Sequence, residues 1–128
     1  DWQNDHIVGE NIDVSGNFIL VIGKYNTKGN QGEMGQAYHD WVTVPAVESG
    51  VALAGNFSFH LTGSGPDVMV ANAYASMHEF ATGLEGATSD TSDARKKFWS
   101  LVEGDHEEQI LIHQGHIVDG KFVRANSN

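Results

Sequence analysis

The stretch from Asp67 to Phe80, DVMVANAYASMHEF, decides how this chain folds. Its first half alternates from Val68 to Tyr74, with every second side chain on the same face, as in a β-strand. Its second half begins a helix, because Ser76 precedes Glu79 by three residues, the spacing of a capping box in which side chains satisfy free backbone N–H groups. A strand that leads directly into a capped helix predicts a small α+β fold.

The segments on either side supply the other elements of such a fold. Alternating or continuous apolar patterns predict strands at 18–25, 56–62, 67–74 and 108–118, and helical spacing predicts helices at 33–47, 77–84 and 92–102. Pro45 is predicted to end or kink the first helix, because proline lacks the N–H of the helical hydrogen bond. The order strand, helix, strand, strand, helix, strand is the ferredoxin-like βαββαβ pattern, with an antiparallel sheet.

The two ends of the chain lie outside this pattern. Residues 1–17 are polar and rich in Gly and Asn, and we expect them to form an N-terminal arm that lies on a single domain of residues 18–128. Near the other end, Asp119 and Gly120 are a strong two-residue hairpin signal, and residues 121–124 return as a last short strand. The sequence therefore predicts one ferredoxin-like domain with an arm and a C-terminal hairpin.

Composition excludes several classes of partner. The 17 Asp and Glu residues outnumber 7 Lys and Arg, which gives a net charge of −10 and disfavours nucleic acid and anionic membrane surfaces. No apolar run approaches the ~20 residues of a membrane-spanning helix. The absence of cysteine excludes disulfides and thiolate chemistry. The first residue is Asp rather than Met, so the sequence is compatible with either a cytoplasmic or an exported protein.

The second strand of the pattern predicts the mode of assembly. Phe57 and Phe59 point to one face, whereas Ser58, His60 and Thr62 point to the other. Helices are expected to cover one face of the sheet, and the other face is too apolar elsewhere to remain open to water. We therefore expect a homodimer in which two sheets pack face to face and enclose a pocket.

Two short motifs carry a resemblance to known proteins. Tyr74–Phe80 is similar to the junction in dimeric α/β-barrel proteins at which an aromatic residue ends a strand and a helix begins. Lys97–Trp99, in the third predicted helix, is similar in its placement to residues of the same proteins. These proteins include the stress-responsive barrel family, antibiotic-biosynthesis monooxygenases and small polyketide cyclases. The resemblance covers roughly residues 18–116 and implies a dimeric barrel with a pocket for a small apolar or aromatic molecule. It also implies that a strand-end Tyr, here Tyr74, acts in proton transfer.

Candidate site residues follow from the predicted pocket. His60 lies in mid-strand on the polar face, where an imidazole can act as a base near neutral pH, so we assign it and Tyr74 as catalytic candidates. An interface histidine held by hydrogen bonds is the alternative for His60, and core packing is the alternative for Tyr74. The candidate ligand-binding residues are Ser58, Thr62, Asn72, Tyr25 and His113.

The seven histidines also raise the question of a metal. His113 and His116 are three apart in one predicted strand and would point to opposite faces, so they do not form a chelating pair. His113 could join His60 across a barrel, with Glu107 or Asp67. No HxH, HxxxH or HExxH spacing appears, and we expect neither a metal nor another cofactor.

Three functional hypotheses remain open at this point. The first is a cofactor-independent enzyme, of the cyclase, isomerase or monooxygenase type, in which His60 and Tyr74 move protons. The second is a non-catalytic ligand-binding or stress-related protein that uses the same pocket. The third is a haem or metal protein with a His ligand, as in some barrels of this fold. Convergence of polar groups on one pocket distinguishes the first from the second.

Overall fold

The sheet has the topology that the sequence predicts. The structure is a computed structural model that describes residues 2–9, 12–60 and 64–126. Its main strands are β1 (Trp2–Gly9), β2 (Ile19–Thr27), β3 (Ala54–His60), β4 (Val68–Tyr74) and β5 (Val102–Ile112). They form one sheet in the order β1-β3-β4-β2-β5, and every neighbouring pair is antiparallel. Strands β2 to β5 have the strand order of a ferredoxin-like fold, which confirms the predicted fold class, and β1 adds a fifth strand at one edge.

The helices follow the predicted order, with one difference at Pro45. They are α1 (Gln31–Tyr38), a π-helical turn (His39–Thr43), α2 (Val44–Glu48), α3 (Met77–Ser89) and α4 (Asp93–Leu101). The helical path does not end at Pro45, because Pro45 occupies the first turn of α2, where a missing N–H costs no hydrogen bond. The π-helical turn before it brings the N–H of Val44 to the carbonyl of His39.

Side-chain caps fix where the helices begin. The Asn30 side chain accepts a hydrogen bond from the N–H of Glu33 at 2.9 Å, and Ser92 accepts one from Arg95 at 3.3 Å. Ser76 caps α3 by accepting from the N–H of His78, and its hydroxyl donates to the Glu79 carboxylate. The predicted Ser76–Glu79 pair is therefore formed, although through its side chains rather than as two reciprocal side-chain-to-backbone bonds.

The helices cover one face of the sheet only. Tyr25, Phe57, Val68 and Val70 point from the sheet into a core that includes Met34, Trp41 and Phe98. Alternate residues of the same strands form the other face, which we call the open face. It carries a shallow hollow of about 220 Å³, lined by Ile12, Leu20, Ala54, Gly55, Asn56, Ala71 and Ala73. A sheet face without helices was expected from the sequence, although Ser58, His60 and Ala73 on this face are buried within the single chain.

The C-terminal part forms a separate hairpin. Strands β6 (Gly115–Val118) and β7 (Lys121–Arg124) pair with each other, and the two turn residues Asp119 and Gly120 both have positive φ, at 50° and 76°. This confirms the predicted hairpin. The single strand predicted at 108–118 is divided into β5 and β6, and β5 begins earlier, at Val102. Its polar first half forms a strand because β5 is an edge strand with exposed side chains.

Candidate functional site

A cavity of about 150 Å³ lies between the helix-covered face of the sheet and α3, and we call it the inner cavity. Its walls come from six elements and the π-helical turn, so residues far apart in the sequence meet there. The lining residues are Val21, Tyr25, Tyr38, Trp41, Val42, Asn72, Tyr74, Phe80, Gly83, Leu84, Ala87, Thr88, Trp99 and Glu108. Most are apolar or aromatic, as is usual in ligand pockets, and a few are polar.

Aromatic rings hold the inner cavity in shape. Tyr38 meets Trp41 edge to face with ring centroids 5.8 Å apart, and Trp41 meets Trp99 in the same way at 6.1 Å. Tyr25 packs edge to face on the fully buried Phe98 at 5.0 Å. Such pairs favour fixed relative orientations over free rotation. Tyr25 and Trp41 are therefore buried core residues that also line the cavity, whereas Trp99 is 43% exposed.

Asn72 is the central polar group. It is 3% exposed, and its Oδ1 accepts a hydrogen bond from the Thr43 hydroxyl at 3.0 Å. Its side chain also faces the hydroxyls of Tyr38 and Tyr74 and lowers the pKa of both, which partly offsets the effect of burial. The neighbouring strand is built around it, since any side chain at Gly55 would collide with the Asn72 amide and the Thr43 methyl group. One buried amide and two phenol groups therefore meet at one cavity.

The three tyrosines are held in their protonated form. Burial raises the pKa of Tyr38 well above its usual value, and burial also raises the pKa of Tyr25 and Tyr74. The Glu108 carboxylate adds to the rise for Tyr25, whereas hydrogen bonding to Asn72 partly offsets it for the other two. All three hydroxyls therefore remain available as hydrogen-bond donors and acceptors near neutral pH.

Glu108 lies at the mouth of the inner cavity. The Tyr25 hydroxyl is 3.4 Å from its Oε1, a long hydrogen bond, and the side chain is 55% exposed. His106 stands beside it, with Nε2 at 3.9 Å from the same oxygen, and the His106 ring stacks on Tyr25 at 4.9 Å. A carboxylate that faces both solvent and the cavity can accept a proton from a bound molecule and pass it to water.

The sequence did not single out Glu108 or Tyr38. Tyr38 belongs to the apolar stripe of a helix, and such a stripe does not distinguish a cavity wall from solid core. Glu108 is one of several acidic residues in β5. Its register opposite Gly23 is the feature that places it on the helix-covered face, and that register depends on the pairing of strands.

His60 and Tyr74 do not share a site. Ser58 and His60 alternate with Phe57, which faces the helices, so both lie on the open-face side of β3. Tyr74 points the other way, toward Phe80 and the inner cavity. His60 Nε2 lies 3.8 Å from Asp67 Oδ1 instead. The predicted pairing of His60 with Tyr74 is therefore wrong, because the two side chains project from opposite faces of one sheet.

The other predicted site residues also lie in separate places. Tyr25, Asn72 and Tyr74 meet in the inner cavity. His113 lies elsewhere, stacked on Phe18 at 4.5 Å, with Nε2 at 2.9 Å from the carbonyl of Val14. Thr62 is outside the described residues.

His113 and His116 differ from the sequence prediction. We expected them on opposite faces of one strand, but their rings stack with centroids 6.5 Å apart, because β5 ends at Ile112, before His113, and His116 belongs to β6. Within the described ranges, no group of three or more His, Cys, Asp or Glu side chains is placed to hold a metal ion. In the same part of the chain, no helix is long and apolar enough to cross a bilayer.

Comparison with known proteins identifies the fold. No protein-family model matches the sequence, and no curated protein matches it. Among solved structures, an anthrone oxidase-like protein is similar with a TM-score of 0.59 and 13% identity, over 85% of this chain and 52% of that chain. The present chain thus spans about half of that protein's length. At this identity the likeness shows the fold alone.

Two further structures are similar at lower scores. One is described as a dimeric protein of unknown function and ferredoxin-like fold from Bacteroides fragilis, with a TM-score of 0.49, 7% identity and coverage of 74% and 93% of the two chains. The other is a protein from Shewanella oneidensis, with a TM-score of 0.48, 11% identity and coverage of 88% and 99%. The strand order of the sheet defines a ferredoxin-like α+β protein, which is the fold that the resemblance in sequence implies.

Proposed function

We propose that this protein binds a small, neutral aromatic molecule that carries a hydroxyl or carbonyl oxygen, and that the inner cavity is its binding site. One observation carries the proposal: Tyr38, Tyr74 and Asn72 direct polar groups into a cavity whose other walls are mainly apolar and aromatic. Burying three polar side chains at one place is costly unless they are paired, and a ligand oxygen can exchange hydrogen bonds with this network.

Size and charge narrow the class of ligand. A cavity of about 150 Å³ takes a single benzene-sized ring. The Glu108 carboxylate at the mouth and the net charge of −10 disfavour an anionic ligand. A neutral phenol satisfies both conditions, because its hydroxyl can donate to Glu108 and accept from the amide or a tyrosine.

The same arrangement supports proton transfer without a cofactor. Glu108 is the candidate base for a ligand hydroxyl or an acidic C–H. Asn72 and Tyr74 are the candidate donors to the oxygen on which negative charge develops, in a site largely shielded from water. This keeps the expectation of a cofactor-independent enzyme of the cyclase, isomerase or monooxygenase type, with Glu108 in the role first given to His60. Binding without conversion is the simpler alternative.

A haem does not fit the inner cavity. None of its lining residues is a histidine, and its volume corresponds to one ring rather than to a macrocycle of four. Outside the inner cavity, His113 and His116 lie close together. No third metal-ligating side chain joins them among the described residues.

We also propose that the chain is a homodimer through its open face, as the sequence led us to expect. The hollow lined by Leu20, Ala71 and Ala73 supports this, because a solvent-facing sheet normally carries polar side chains there. Ser58 and His60 belong to the same side of the sheet, but each is only 6% exposed in the single chain, so the proposed contact rests on the apolar residues of the hollow.

Removing one hydroxyl tests the proposed site. The variant Tyr74→Phe keeps the ring and removes only its oxygen, so we expect phenol to bind about 2- to 10-fold more weakly, the usual range for one lost hydrogen bond. Isothermal titration calorimetry measures the change. His60→Gln, on the opposite side of the sheet, is the control and should bind phenol as the natural chain does. Equal binding by Tyr74→Phe, or a loss confined to His60→Gln, would refute the assignment.

A further inference from the structure

A second, larger hollow lies against the inner cavity. It has a volume of about 540 Å³ and runs between α2 and α3, open to solvent, and we call it the outer groove. Its lining residues are Trp41, Val42, Pro45, Ala46, Ser49, Val51, Thr82, Gly83, Gly86, Ala87, Ser89 and Asp90. The inner cavity alone is smaller than the ~300 Å³ at which ligand pockets usually begin, whereas the outer groove is within the usual range.

A thin wall separates the two spaces. Trp41, Val42, Gly83 and Ala87 line both of them. On α3, the wall consists of a glycine and an alanine, so it has little side-chain thickness there. On the other side it is the Trp41 indole, whose Nε1 donates a hydrogen bond to the carbonyl of Ala87 at 3.0 Å. The inner cavity and the outer groove are therefore separated by two side chains, Trp41 and Val42, and by two small residues of α3.

Helix α3 lies at the surface of the domain and leaves space in the outer groove at Gly86. None of its residues is buried. Gly83 is explained by packing, since a Cβ there would lie 3.2 Å from Val51 and 3.3 Å from Tyr74. Gly86 has no such explanation, because a Cβ there would meet nothing within 4 Å. A glycine inside a helix costs about 1 kcal/mol relative to alanine, so its presence where space is open needs another reason.

The outer groove offers little to a polar ligand. Its three hydroxyl groups already donate to helix carbonyls: Ser49 to Ala46 at 3.2 Å, Thr82 to His78 at 3.0 Å and Ser89 to Gly86 at 3.1 Å. Its one carboxylate, that of Asp90, already accepts hydrogen bonds from Ser92. Most of its other walls are aliphatic. A molecule that lies in this groove gains by burying apolar surface rather than by hydrogen bonds.

We propose that the inner cavity and the outer groove form one site for a phenol-like molecule with an apolar alkyl extension. The oxygen-bearing ring occupies the inner cavity, and the extension passes Trp41 into the outer groove beside Gly86. This inference rests on the proposed function and adds the shape of the ligand to it.

A series of alkylphenols tests the inference. Calorimetric titration compares phenol with 4-ethyl-, 4-butyl- and 4-hexylphenol, and each methylene that enters the outer groove should raise the affinity about fourfold. Gly86→Phe fills the groove, so the ratio of hexylphenol to phenol affinity should fall at least tenfold. Ala81→Phe places the same ring on an exposed position of α3 that lines neither space, and it should keep the ratio of the natural chain.

A second substitution protects the test against misfolding. Ser89→Leu also narrows the outer groove, at the end of α3, and should lower the same ratio if circular dichroism shows that Gly86→Phe does not fold. An affinity that does not grow with chain length, or a ratio that both groove variants leave unchanged, would overturn this inference while the proposed function stands. Absence of phenol binding would overturn both. Self-association that Gly86→Phe abolishes would assign the groove to a second copy and would also overturn the inference.

Discussion

At the residue scale, Asn72 connects the sequence with the candidate site. The alternation of residues 67–74 places Asn72 and Tyr74 on the same face as Val68 and Val70, and the structure confirms this. Tyr74 and His60, which we expected to act together, project from opposite faces of the sheet. In β3, Phe57 and Phe59 alternate with His60. Their side of the strand is the more apolar one, and a more apolar side predicts the face that the helices cover. The sequence therefore contains enough to place His60 and Tyr74 on opposite faces, but only when the apolar faces of β3 and β4 are compared with each other.

The tyrosines give a prediction about pH. The chain has three tyrosines, and all three line the inner cavity with a raised pKa. A raised pKa in the folded state stabilises the fold below the unfolded value near pH 10, and this contribution is lost as the pH rises further. Titration of tyrosinate absorbance at 295 nm should therefore begin above pH 10 and coincide with unfolding measured by circular dichroism.

The control for this titration is the same chain in denaturant. There, all three tyrosines should ionise near pH 10. A tyrosine that ionises near pH 10 while the native circular dichroism spectrum is retained would show that its hydroxyl is not buried as the structure places it.

At the scale of elements, the helix caps were predictable and the π-helical turn was not. Ser76 and Ser92 each stand just before an apolar helical pattern, and both cap the helix that follows. The sequence 33–47 predicts helix, but its spacing does not distinguish one long helix from α1, a π-helical turn and α2. The widened turn is decided by packing, since His39, Trp41 and Thr43 are all buried there.

The cap of α4 provides a test with a matched control. The Ser92 hydroxyl accepts from the N–H of Arg95 and donates to Asp90 at 2.6 Å. Ser92→Ala should lower the free energy of unfolding by about 1 kcal/mol. Ser100→Ala, within the same helix and exposed, should leave it equal or slightly higher, because alanine has the better helix propensity. Urea unfolding followed by circular dichroism measures both.

The effect of Ser92→Ala should depend on pH. The hydrogen bonds from Ser92 lower the pKa of Asp90. A lowered pKa in the folded state stabilises the fold above the unfolded value near 3.9, and that contribution disappears as the pH falls below it. The difference between the natural chain and Ser92→Ala should therefore be smaller at pH 3 than at pH 7. A difference that grows in acid would contradict the role of Asp90.

At the scale of the whole molecule, the order of elements was enough to predict the fold, whereas the position of the site was not. Strand order follows from the βαββαβ pattern and from short connections. The location of the inner cavity depends on the distance between α3 and the sheet, and no local sequence pattern predicts that distance. Glu108 is an example of a site residue that the order of elements does not predict, because its position at the cavity follows only from the register of β5 against β2.

The proposed homodimer belongs to this scale. Ile22 lies on the open face, next to Ala71 in the strand register. Across a symmetric interface, Ile22→Asp would bring two carboxylates into an apolar contact, which is strongly unfavourable. Light scattering should give twice the chain mass of 13.9 kDa for the natural protein and the single mass for Ile22→Asp. Leu53→Asp, an exposed position outside the hollow, should remain dimeric. A natural protein of single mass would refute the dimer.

The most direct measurement of the central claim is the structure of crystals soaked with phenol. We expect the phenol ring to occupy the inner cavity, with its oxygen within hydrogen-bond distance of the Asn72 amide or the Tyr74 hydroxyl. Phenol bound instead beside His60 on the open face, with the inner cavity left without it, would contradict the account.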